Sequence, residues 1–159
     1  MPGRPAARLG DITAHADPLK PGLGSLNVLI GDKPAWRGLS AVQAAQLVKL
    51  FEQGTKDIAE AQKKATAAKG TPGAAAAETN LADTIASAAK NMAKLMASFT
   101  ADKHICSIPI PPHGMGVVIN GSQTVLINNL PACRQGDIIQ ETLAVNSIAI
   151  AEPTVLIGL

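Results

Sequence analysis

The sequence predicts a mainly β domain interrupted by an inserted pair of antiparallel helices. Three observations predict it. Short β-branched strings recur along the chain: Ser25-Leu26-Asn27-Val28-Leu29-Ile30, Ser122-Gln123-Thr124-Val125-Leu126-Ile127 and Pro153-Thr154-Val155-Leu156-Ile157. Repetition of this kind points to a pseudo-symmetric object. Residues 1–39 and 102–159 are rich in Gly, Pro and β-branched residues, whereas 40–101 are rich in Ala and Lys. Helical spacing of apolar residues is confined to that middle zone.

The repeats share an ending. Lys33-Pro34-Ala35-Trp36-Arg37 matches Leu130-Pro131-Ala132-Cys133-Arg134. The same ending stands alone near the start, where Pro5-Ala6-Ala7-Arg8-Leu9-Gly10-Asp11-Ile12 matches Pro131-Ala132-Cys133-Arg134-Gln135-Gly136-Asp137-Ile138. Because the copies lie on both sides of the middle zone, one domain is expected over 1–39 plus 102–159, with 40–101 inserted into it. A monomer with threefold pseudo-symmetry suits a threefold symmetric partner.

Val28-Leu29-Ile30, Val117-Val118-Ile119, Val125-Leu126-Ile127, Ile148-Ala149-Ile150 and Val155-Leu156-Ile157 read as short strands. Asn120-Gly121 and Asn128-Asn129 read as hairpin turns, because these residues tolerate positive φ. A hairpin pairing 117–119 with 124–127 is expected. In the insertion, Ser40 is an N-cap candidate. Leu47, Phe51, Gly54, Ile58, Ala61 and Ala65 form a heptad-like seam, and Gly70-Thr71-Pro72-Gly73 turns the chain. Leu81, Ile85, Ala88, Met92, Leu95 and Phe99 repeat the spacing, which predicts an antiparallel helical hairpin. Its alanines allow close approach but bury little area. The hairpin is either a decoration or a docking element.

Composition narrows function. A net charge of +2 over 159 residues, without a basic run, argues against nucleic acid as partner. Aromatic residues make up 2%, so the core must use small and β-branched side chains. A core that thin calls for a staple, either a metal or an obligate partner. Two cysteines make no disulfide framework. The N-terminal residues contain no apolar signal region, and no apolar run is long enough to span a bilayer. The reading is a protein made in the cytoplasm without a signal peptide.

The candidate site is metal-binding. The three histidines are His15, His104 and His113, and the last two bracket Cys106. Imidazole and thiolate are preferred zinc ligands, and four protein donors would make a closed structural site. The spacing His-x-Cys-x6-His is not a finger spacing, so three ordinary histidines and a buried thiol stay open as the alternative. Cys133 is a competing sulfur, but Ala7 and Trp36 occupy its place in the other copies, which reads as packing. Asp11 and Asp137 follow Arg8 and Arg134 by three positions. They read as acceptors of turn and Arg hydrogen bonds rather than as an acid–base pair. No Ser/His/Asp signature and no phosphate-binding glycine loop is present.

These residues resemble the PAAR-repeat family. Pro5-Ala6-Ala7-Arg8 is literally its naming motif. The following Gly-Asp, His15, the Val-Leu-Ile strands and the His-x-Cys…His-Gly segment at 104–114 are similar too. The resemblance covers 5–39 and 102–159, and the insertion resembles a variant found in some members. It implies a small conical β fold with pseudo-threefold repeats. It implies one structural Zn2+ near the apex, with three His and one Cys as ligands, mapping onto His15, His104, Cys106 and His113. It implies a spike tip, not an enzyme, that caps and sharpens a trimeric VgrG-like β-helical spike of a type VI secretion or phage-tail-like injection machine.

One cap would sit on each trimer, through Val28, Ile30, Val125, Ile127, Val155 and Ile157 at the base of the cone. It would touch the target membrane transiently and be delivered outside the cell or into the target cell. An effector or baseplate protein bound through residues 40–101 is the alternative role. A zinc-dependent hydrolase using Asp17 as base is the remaining one. No Cys follows Gly136-Asp137, where some members have one. Many relatives carry toxin domains, whereas this sequence stops after a repeat strand.

Overall fold

A computed structural model describes residues 3–158. It is a mixed α/β molecule with two helices and several small antiparallel sheets. β1 (Arg4–Ala6) is followed by the pair β2 (Leu29–Ile30) and β3 (Lys33–Pro34). Next come α1 (Ala41–Ala67) and α2 (Ala74–Ser98). A four-stranded sheet, in the order β4 (Lys103–Cys106), β5 (Gly114–Val118), β8 (Ile138–Glu141) and β9 (Val145–Ser147), contains the longest run of pairing. β6 (Leu126–Ile127) pairs with β7 (Leu130–Pro131), and β10 (Glu152–Ile157) returns to β1.

The repeated strings become repeated hairpins. Leu29 pairs with Pro34 and Ile30 with Lys33. Leu126 pairs with Pro131 and Ile127 with Leu130. Gly31-Asp32 and Asn128-Asn129 make the two tight turns, all four residues lying at φ between 51° and 63°. That left-handed pair of residues matches the twist of the flanking strands. The third copy joins two segments far apart in sequence: Leu156 pairs with Pro5 and Ile157 with Arg4.

The three Pro-Ala-x-Arg endings then bond to one another in a closed cycle. Ala7 N–H donates to the Cys133 carbonyl, Cys133 N–H to Trp36 and Trp36 N–H to Ala7. Bridges join Ala6 to Arg134, Arg37 to Ala132 and Arg8 to Ala35. Each Arg backbone N–H also donates to a buried Asp, at 2.8–2.9 Å: Arg8 to Asp11, Arg37 to Asp102 and Arg134 to Asp137. The guanidinium groups bind the same carboxylates. Asp11 and Asp137 are structural acceptors, as their repeated context predicts, and Asp102 is a third that the sequence hid. The helices therefore interrupt one copy of the Arg-to-Asp turn.

Two small cores lie against this ring. Ala6, Ala35, Ala132, Ile30, Ile127 and Ile157 pack on one side, with Val28 and Val125 partly buried beside them. Ala7, Trp36 and Cys133 pack on Leu19, Val118, Ile139 and Ile148. Cys133 is fully buried, in agreement with its reading as packing.

The helices form the expected hairpin. Ser40 caps α1 through a reciprocal box with Gln43. A Cβ on Gly54 would meet that of Ala88 at 3.2 Å, so the glycine lets the pair approach closely there. The pair is anchored where Leu47, Met92, Met96 and Phe99 meet Leu39, Ala101 and Val117. Burying each of the large side chains contributes about 2 kcal/mol. Further along α1 only Ala61 and Ala65 are buried, so the far half is held weakly. Among the described residues no helix is long and apolar enough to cross a membrane.

Two strand expectations need correction. Residues 117–119 do not pair with 124–127. β5 is instead taken on both sides by β4 and β8, and β6 finds its partner across Asn128-Asn129. Local turn chemistry at Asn120-Gly121 lost to long-range pairing. Residues 148–150 form no strand. Ile148 makes one bridge to Thr13, and Ala149 and Ile150 N–H both converge on the Ile12 carbonyl.

Candidate metal centre

Three segments leave the ring just after its three aspartates and fold back. The first runs from Ile12 to Pro18, which bridge each other. The second is the β4–β5 hairpin, with the Pro-rich loop 107–113 at its end. The third is the β8–β9 hairpin. They meet at one point and bring four donors together. His15, Cys106, His113 and Glu141 place one ligand atom each within 4.8 Å of all the others.

Four of the six donor spacings suit a tetrahedron. Cys106 Sγ lies 3.6 Å from His15 Nδ1 and 3.5 Å from His113 Nδ1. The two Nδ1 atoms are 3.2 Å apart. Glu141 Oε2 lies 3.4 Å from His15 Nδ1 and 2.5 Å from His113 Nδ1. Around a divalent ion with bonds of about 2.0 Å to N or O and about 2.3 Å to S, tetrahedral edges are about 3.3 Å and, with sulfur, about 3.5 Å. All but the shortest of these contacts agree. Two imidazole lone pairs, a thiol and a carboxylate turned toward one another are what a shared cation accounts for. Glu141 Oε2 is buried and has no hydrogen bond.

Burial pushes the Cys106 thiol up to about 11, and the nearby Glu141 charge adds to the effect. Metal coordination would override this, because the ligand is the thiolate. Burial would also raise the Glu141 carboxyl. Hydrogen bonds from His104 and Asn146, and the charges of His104 and His15, outweigh it and hold the group at about 2. Glu141 is thus an anion in a buried site, ready for a cation.

Of the residues expected from sequence, His15, Cys106 and His113 come together. His104 lies beside them and contacts the carboxylate, with Nε2 at 3.1 Å from Glu141 Oε1. Glu141 escaped the sequence reading, which followed histidine and cysteine alone. Its one signal is that it stands four positions after Asp137, as His15 does after Asp11.

Asp17 stands at the edge of the cluster, with its side chain in hydrogen-bond contact with Cys106. Both of its oxygens hold Ser107, and the Ser107 backbone N–H at 2.8 Å is the main cause that lowers its pKa. Of the tentative interface residues, Ile30, Ile127 and Ile157 are buried, Val28 and Val125 are half-buried and Val155 is exposed. Strand alternation turns Leu29, Leu126 and Leu156 outward instead, each 57–60% exposed. No protein-family model, curated protein or solved structure matches the chain.

Proposed function

We propose that this protein is a PAAR-type tip that caps a trimeric, VgrG-like β-helical spike of a contractile injection machine. One observation carries the reading: three Pro-Ala-x-Arg copies exchange equivalent backbone bonds in a cycle, 7 to 133, 133 to 36 and 36 to 7. A single chain so arranged has pseudo-threefold symmetry. It offers three matching faces to a partner with true threefold symmetry.

The three hairpins lie on one side of the ring and carry Leu29, Leu126 and Leu156 outward. Each short pair can continue one chain of the spike by strand addition, which also covers its free edge. On the other side, three segments converge on the donor cluster, which would form the apex of the cap. A point has too few residues for a core of its own, and a structural zinc supplies the missing stability there. Four protein donors would leave no open position for a substrate, which disfavours the hydrolase reading. In the machine the protein need only stay folded under load.

The test is native mass spectrometry of the purified, metal-loaded chain mixed with a trimeric, VgrG-like β-helical spike protein. One cap per three spike chains is the expected assembly. Absence of a complex, or three caps per trimer, overturns the proposal.

A further inference from the structure

We infer that Glu141, and not His104, supplies the fourth donor to the metal, and that His104 is a positioning residue for the carboxylate. This deepens the metal part of the proposed function and rests on that part alone.

The first argument is register. Asp11, Asp102 and Asp137 are equivalent, because each accepts the N–H of its own ring arginine. The equivalence continues outward. Two positions on stand Thr13, His104 and Ile139, which pair in cyclic fashion with Ile148, Pro21 and Val118. Four positions on stand His15, Cys106 and Glu141. The three arms therefore deliver one donor each from the same place, and His113, from the β4–β5 loop, closes the set. In this register His104 matches Thr13 and Ile139, neither of which reaches the cluster. It stands one strand step nearer the ring than the donors do.

The second argument is how the carboxylate is held. Oε1 accepts from His104 Nε2 at 3.1 Å and from Asn146 Nδ2 at 2.7 Å. Oε2 has no hydrogen bond and lies against both Nδ1 atoms. One oxygen is thus fixed from behind while the other is left for an ion. Ligating carboxylates are commonly oriented by such partners. His104 has little room for another role: a Cβ on Gly116 would lie 2.7 Å from its ring. Its Nδ1 is buried without a partner, so its polar contact in the site is the one Nε2 makes with Glu141. A thiolate and a carboxylate together also cancel a divalent charge in a site where net charge is costly.

The decisive experiment leaves all four proposed donors unmutated. The full chain is labelled with 15N-histidine, loaded with one equivalent of Zn2+ and examined by long-range 1H–15N correlation, with His104→Asn used only to assign the His104 signals. Two imidazoles bound through Nδ1, together with a His104 ring protonated at Nε2 and free of metal, are expected. Three metal-bound imidazoles overturn the inference and leave both the metal site and the cap reading standing. Three metal-free imidazoles overturn the inference together with the metal site. Competition titrations give a second readout. His104→Gln is expected to weaken Zn2+ binding by about 10- to 100-fold, as loss of an orienting partner does. Glu141→Gln is expected to weaken it further. The opposite order overturns the assignment.

Discussion

Arg37 and Asp102 stand 65 positions apart, yet they make the same pair that Arg8 makes with Asp11 and Arg134 with Asp137 over three positions. The whole helical hairpin hangs between the two halves of this one turn. Asp102 also accepts the Gly24 N–H, so it ties three pieces of chain together.

Loss of Asp102 is therefore expected to be costly. Asp102→Ala leaves the guanidinium of Arg37, buried for the most part, without its partner, and breaking such a pair costs about 3 kcal/mol or more. Chemical denaturation checks this. A loss of under about 1 kcal/mol would place the pair with weak surface bridges.

The matching turns also say how the insertion can be removed. Arg8-Leu9-Gly10-Asp11 is the uninterrupted form. Replacing Gly38–Ala101 by the dipeptide Leu-Gly restores that spacing. The shortened protein is expected to lose its helical circular dichroism and to keep one equivalent of bound metal. Loss of metal binding would mean that the helices support the site.

The metal should carry much of the stability of the donor end. With free zinc a thousand times above Kd, binding to the native state alone contributes about 4 kcal/mol. His113→Ala or a chelator is expected to lower metal content and melting temperature together. An unchanged melting temperature after complete metal removal would refute a structural role.

The Cys106 thiol gives a pH signature. Its pKa is raised from 9.0 to about 11 in the folded, metal-free state. A raised pKa favours the folded state while the thiol is neutral. That contribution is whole below about pH 9 and is lost as pH climbs through about 11. Metal-free protein should therefore weaken over this range more than Cys106→Ser protein. At pH 7 Glu141 is already charged and Cys106 is not, so metal uptake should release about one thiol proton, measurable in weak buffer.

The two faces of the β6–β7 hairpin should respond oppositely to charge. Leu126 is 57% exposed, so Leu126→Asp is expected to leave stability within about 0.5 kcal/mol and to weaken the spike complex. Ile127 is buried among alanines and isoleucines, and Ile127→Asp is expected to cost about 3 kcal/mol. Full spike binding by Leu126→Asp protein would remove this hairpin from the interface.

Much of this was legible in the chain. The recurring Val-Leu-Ile strings and the Pro-Ala-x-Arg endings became the three hairpins and the ring. Ser40, the heptad-like spacing and Gly70-Thr71-Pro72-Gly73 marked the helices, because helical order is local. Asp102 was hidden because the insertion separates it from Arg37, and without it the common offset of His15, Cys106 and Glu141 has only two members. The false hairpin at Asn120-Gly121 has the same root. Turn residues state a local preference, whereas the partners of β5 come from 103–106 and 138–141, which only the closed ring brings near.

The pairing of β1 with β10 has a topological consequence. Gly3 lies close enough to Ile157 that an added Cβ would come within 3.0 Å of its backbone. Gly3 and Ile157 thus face each other where the sister hairpins carry Gly31-Asp32 and Asn128-Asn129. A short linker from Gly158 to Gly3 and a new opening at either of those turns should yield the same native object, read from a different starting letter.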